Sequence, residues 1–198
     1  MCGTADPPST VGDVRLRTEL SRSLTEAGFT RSDRRHTRRI DRDFSVVADV
    51  GISAPRLAPW VGLRHDPTQE IVSELIELTD DGLYPTVGSN VGYVVEGTYL
   101  EWTESASPDV VEGMVLKAIE RVSAFASLDL LPEIWSIPGT NLPGYHRKLA
   151  VIAALSSRPQ DVARWLAEGE RLDCAYDDEV CEHYRVFRRN FEARFGVI

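Results

Sequence analysis

The sequence predicts an α+β fold, an antiparallel sheet of about five strands with helices packed on one face and a helical C-terminal part. Three observations predict it. Strand-like segments between His36 and Trp102 are joined by short turns, with one helical interruption after His65. From Ser107 onward the apolar residues recur at helical spacing. The chain has 198 residues, 42% hydrophobic and 27% charged, enough to bury a substantial core.

Residues 1–12, with Pro7, Pro8 and no apolar run, read as a flexible tail. Val14, Leu16, Leu20, Leu24 and Phe29 then mark a first helix, which Gly28 ends. His36 to Ile40 and Phe44 to Ile52 form a hairpin about Asp41, Arg42 and Asp43, because Phe44, Val46, Ala48, Val50 and Ile52 alternate with Ser45, Asp49 and Gly51. Leu57 to His65 is a third strand, with Pro55 and Pro59 keeping its start out of the ladder. Asp66, Pro67 and Gln69 then carry the signals of a capping box, opening a helix with Ile71, Val72, Leu75, Ile76 and Leu78 inward and an end near Thr79.

Tyr84 to Val95 and Tyr99 to Trp102 return to strand composition, broken at Gly88–Asn90 and at Glu96 and Gly97. Four helices follow, starting at Ser107 and Pro108, over Tyr145 to Leu155, over Pro159 to Leu172 and over Asp178 to Phe195. The Pro and Gly loop from Pro138 to Gly144 divides an α+β domain, residues 13–137, from a C-terminal helical extension, residues 138–198, packed on it as one structural unit.

The expected setting is cytoplasmic. No basic start leads into an apolar stretch, and no run approaches the ~18 apolar residues of a membrane span. Cys2, Cys174 and Cys181 show no disulfide framework, and the last two with His183 do not complete a zinc pattern, so neither a structural disulfide nor a metal is expected.

Chemistry-bearing motifs are scarce. There is no Gly-x-Ser-x-Gly elbow, and Cys181 and His183 stand two apart, on different sides of a helix. Gly88 to Gly92 precedes a predicted strand and therefore lacks the helix dipole of a phosphate loop. Asp41, Asp43 and Asp49 could gather at one hairpin end, where neighbouring arginines would form ion pairs with them. Six arginines between Arg31 and Arg42 make the one basic cluster, but interleaved acids, absent aromatics and a net charge of −9 argue against nucleic acid. No cofactor is implied.

Charge distribution is the stronger signal. From Asp66 to Glu133 there are fourteen carboxylates and only two cations, Lys117 and Arg121. Glu70, Glu74, Glu77 and Asp81 recur at i, i+4, i+7 and i+11, an acidic side opposite Ile71, Leu75 and Leu78. With Asp80, Glu101 and Glu104 they form the predicted partner-binding set, suited to a basic protein. The alternative is an enzyme with a site between sheet and C-terminal helices, using His65, His146 or clustered aspartates.

Leu20, Leu24, Gly28 and Phe29, followed by an Arg-bearing hairpin into Val46 to Gly51, make the first third of the chain resemble small uncharacterised bacterial α+β families that include immunity proteins of polymorphic toxin systems. Tyr99, Leu100, Glu101 and Trp102 are compatible with it. The resemblance implies a non-enzymatic cytoplasmic inhibitor that covers a toxin domain, and it transfers no functional residue.

Overall fold

The structure, a computed structural model, describes residues 11–50, 56–77, 85–103, 105–134, 137 and 144–196. Helix α1 (Val11–Glu26) leads into a meander of β1 (Thr30–Ser32), β2 (Arg35–Arg39), β3 (Phe44–Asp49) and β4 (Trp60–His65). Helix α2 (Asp66–Leu75) comes before β5 (Val87–Asn90), which closes a five-stranded sheet in the order β1-β2-β3-β4-β5 with every pair antiparallel. The remainder is helical: α3 (Val91–Glu96), α4 (Pro108–Ser123), α5 (Leu131–Ile134), α6 (Tyr145–Leu155), α7 (Pro159–Tyr176) and α8 (Asp178–Phe195). The predicted α+β class holds.

Register explains the layering. Residues directly opposite in an antiparallel ladder share a face, so Val46 faces the same way as Leu63 and Val87, and Ala48 the same way as Val61. These side chains are buried in a core with Leu16, Leu20 and Leu24 of α1 and Val111, Val115, Ile119 and Val122 of α4. The other face carries Thr37, Ser45, Val47, Gly62 and Arg64.

A second core lies among helices. Ile71, Val72 and Leu75 of α2 pack with Ala150, Val151 and Ala153 of α6, Val162 and Leu166 of α7, and Tyr184, Phe187 and Phe191 of α8. Helix α2 is therefore a wall of the C-terminal core while continuing directly from β4, an interior strand of the sheet.

Several elements differ from expectation. Val91 to Val95 is helical, because the Asn90 side chain caps the turn: its Oδ1 accepts from the amides of Gly92 and Leu100, each at 2.9 Å, and left-handed Gly97 ends the helix. Tyr99 to Trp102 forms no strand and contributes one bridge, Trp102 to Leu57. β1 was not anticipated; at three exposed residues it carries no alternating pattern. Helix α2 stops at Leu75, with Glu77 in the left-handed region at φ 58°, short of Thr79. Helix α7 continues past Leu172 to Tyr176.

The bond between Cys174 and Cys181 corrects the cysteine reading. Extended Asp177, at φ −162°, breaks α7 from α8 and caps α8 through a hydrogen bond from the Glu179 amide, which brings the two sulfurs together. Closing so short a loop contributes about 2–3 kcal/mol in the chain-entropy account.

The sheet also needs a glycine at position 62. A Cβ there would lie 2.8 Å from the Gly88 Cα and 2.9 Å from the Pro85 Cβ, with the Val87 carbonyl closer still. Gly62→Ala is expected to lower stability by more than about 3 kcal/mol in a denaturant titration; a loss below about 1 kcal/mol would contradict this packing.

Candidate functional site

The predicted acidic set is only partly assembled. Glu70 and Glu74 sit on α2 and are exposed, while Glu77 is exposed beyond the helix end. Shortening of the helix removes Glu77 from the i, i+4, i+7 row. Glu74 is paired with Arg194 of α8, and Glu101 with Arg56. Glu70 and Glu77 have no ion pair among the described residues. Asp80, Asp81 and Glu104 lie outside the described residues.

Asp66 is not the N-cap. It is the first residue of α2, His65 precedes it, and no side chain caps the helix. Its carboxylate instead accepts from two guanidiniums, Arg64 Nε at 2.6 Å on Oδ1 and Arg39 on Oδ2. The Asp66 amide donates to the Asp43 carbonyl at 2.9 Å. Arg64 is 5% exposed, so this is an ion pair largely withdrawn from water.

Below this pair is a buried polar network. The His65 amide donates to Thr86 Oγ1 at 2.8 Å, Gln69 Nε2 donates to the same oxygen at 3.2 Å, and His65 Nδ1 lies 2.8 Å from Thr68 Oγ1. The Phe44 ring stands 4.6 Å from the imidazole. Gln69 thus ties the helix to the β5 approach and does not complete a capping box. Burial pushes the His65 pKa down, against the pull of Asp43, Asp66 and Asp41.

His146 belongs to a separate network between α6 and α7. Its Nε2 is 3.1 Å from Asp173 Oδ2, which also accepts from Arg147 at 2.7 Å. Tyr184 packs edge-on at 5.5 Å, and Nδ1 is buried with no hydrogen-bond partner among the described residues. Gly169 makes room: a Cβ there would meet Tyr184 Cζ at 2.8 Å and the His146 ring closer still. Burial lowers the His146 pKa, with Asp173 opposing and Arg147 assisting. Facing the Asp173 carboxylate, Nε2 is the donor, and the imidazole is buried among aromatic rings.

The arginine cluster is spread along the hairpin in separate contacts. Arg34 and Arg35 pair with Asp49 at 3.1 and 3.5 Å, Arg38 lies 4.7 Å over the Phe29 ring, and Arg39 reaches Asp66. Asp41 accepts from the Asp43 and Phe44 amides at the turn, whereas Asp49 stands at the other end of β3, so the three aspartates do not gather. Gly88 to Gly92 does precede a helix, contrary to expectation, but α3 has six residues and its first amides are consumed by Pro59 O and Asn90 Oδ1. The Cys174–Cys181 bond occupies both sulfurs and removes the cysteine argument for a reducing compartment. No helix among the described residues is long and apolar enough to cross a membrane.

Sequence reasoning missed Arg194, Arg56 and Asp173 as partners. Arg194 meets Glu74 across most of the chain, and no local pattern signals that. No protein family, curated protein or solved structure matches the chain.

Two outcomes are expected. Asp66→Asn should cost about 2 kcal/mol, because it weakens a charged hydrogen bond to buried Arg64 and a second one to exposed Arg39; denaturant unfolding reads it. Burial lowers the pKa values of His36, His65 and His146 alike. Each depressed histidine contributes stability above the unfolded value of about 6.5 and loses it as pH falls through the folded value, by up to about 1.4 kcal/mol per pH unit. Thermal midpoints should therefore fall from pH 7 to 5, and a flat profile would refute it.

Proposed function

We propose that this chain is a non-enzymatic binding protein that engages a basic protein through the outer side of α2, and that an immunity protein covering a basic toxin domain is the specific form of this role. One observation carries the reading: Glu70, on a helix that holds no Lys or Arg, and Glu77, just beyond its end, are exposed and without an ion pair among the described residues. The surrounding sequence is acidic, fourteen carboxylates to two cations from Asp66 to Glu133. Exposed carboxylates of this kind steer a cationic partner and raise its association rate.

Arg194 narrows this surface without closing it. The Glu74–Arg194 pair is exposed on both sides, and such pairs contribute little, so a partner's guanidinium could take its place. Complementarity of this kind works in the cytoplasm, the setting expected from sequence, and equally in an oxidising space, which the Cys174–Cys181 bond favours. The enzyme alternative has weaker support, since His65 and His146 belong to separate buried networks.

The test is binding to basic toxin domains presented as purified proteins, measured as association rate against salt. Joint reversal, Glu70→Lys with Glu77→Lys, is expected to slow association about tenfold at low salt and to flatten its salt dependence. An unchanged rate and slope would remove α2 from the interface.

A further inference from the structure

Helix α4 presents a second surface, independent of α2. Its inner side is buried against the sheet through Val111, Val115, Ile119 and Val122. Its outer side exposes Asp109, Val110, Gly113, Leu116 and Lys117. Two of these are large and apolar, with Val110 57% and Leu116 37% exposed. Gly113 stands in the middle of the helix, where glycine weakens helix formation relative to alanine. No packing among the described residues requires it: a Cβ at that position would meet none of their atoms within 4 Å. Asp109 and Lys117 have no ion pair among the described residues, and Lys117 is one of the two cations in the acidic central segment.

The order of these residues is self-complementary. Counted outward from Gly113, Asp109 lies four residues before and Lys117 four after, while Val110 lies three before and Leu116 three after. Asp109, Gly113 and Lys117 fall on one i±4 ridge. When such ridges from two helices pack together the helices cross at about −50°, with the ridges running side by side. If the partner is a second copy related by a two-fold axis at Gly113, the ridges run in opposite senses. Each Asp109 then meets the other copy's Lys117, and Gly113 meets Gly113 at the crossing, where absent side chains permit close approach. Val110 and Leu116 flank the ridge on its two sides and become covered.

We infer that the outer side of α4 is an isologous homodimer seam centred on Gly113, closed by reciprocal Asp109–Lys117 ion pairs. A second copy is the occupant because acid, apolar, glycine, apolar and base, in that order, complement themselves when reversed. A single helix pair is a small interface, so a dissociation constant of about 10–100 µM is expected.

Sedimentation equilibrium of the full chain across a concentration series tests this. Asp109→Lys alone and Lys117→Asp alone should each weaken self-association at least tenfold, since each places like charges opposite one another. A mixture of the two should associate again, because every pair across the hetero-dimer is then opposite in sign. Gly113→Leu is the folding-independent control: leucine favours the helix and has open space in the monomer, so the variant should melt no lower than wild type yet remain monomeric. A wild-type chain that stays monomeric up to about 1 mM overturns the inference, as does a dimer that survives Gly113→Leu or a mixture of charge variants that does not associate.

Discussion

The structure depends on the carboxylate of Asp66. It is the first residue after β4, and it accepts guanidinium hydrogen bonds from Arg39 of β2 and Arg64 of β4 while its amide donates to the Asp43 carbonyl before β3. Three adjacent strands are thereby tied to the start of one helix. An ion pair with a guanidinium this buried has geometric consequences: the Asp66 carboxylate must stay within reach of a charge held away from water. The direction in which α2 leaves the sheet is therefore closely constrained.

That direction places the C-terminal helices. Ile71, Val72 and Leu75 form a wall of the second core, and the far end of α2 is held by Asn190, whose Nδ2 donates to the Leu75 carbonyl at 3.0 Å. Lys148 of α6 donates to the Pro85 carbonyl at 2.9 Å, a further tie between the helical part and the approach to β5. With its apolar side committed to this packing, α2 turns Glu70 and Glu74 outward. The acidic surface is thus a product of the same arrangement that unites the cores.

What the sequence revealed depended on how local the determining forces are. Alternation in Phe44 to Val50 identified β3, although both faces of that strand are buried, and the apolar rows of α1, α4, α6, α7 and α8 marked those helices, because burial on one side of a helix writes a period into the chain. Val91 to Val95 misled, since β-branched residues favour strands; the Asn90 side chain and left-handed Gly97 outweighed that preference. Asp66, Pro67 and Gln69 correctly marked a helix start for the wrong reason, the two polar side chains being engaged by Arg39, Arg64 and Thr86. Candidate-site legibility was poorer. The exposure of Glu70 followed from helical periodicity, but the pairings Glu74–Arg194, Glu101–Arg56 and His146–Asp173 join residues far apart in sequence, and no spacing rule encodes them. Cys174 fell past the helix end expected at Leu172; continuation of α7 to Tyr176 and the break at Asp177 put the two cysteines on adjoining helices.

The central claim is that α2, anchored through Asp66, makes the sheet and the C-terminal helices a single cooperative unit and so fixes the acidic side in space. Native-state hydrogen exchange tests this most directly. Amides of α2, β4 and α8 are predicted to exchange through one global opening with a common free energy and a common denaturant dependence. Exchange of α6, α7 and α8 at a distinctly lower opening energy, with β4 still protected, would contradict it.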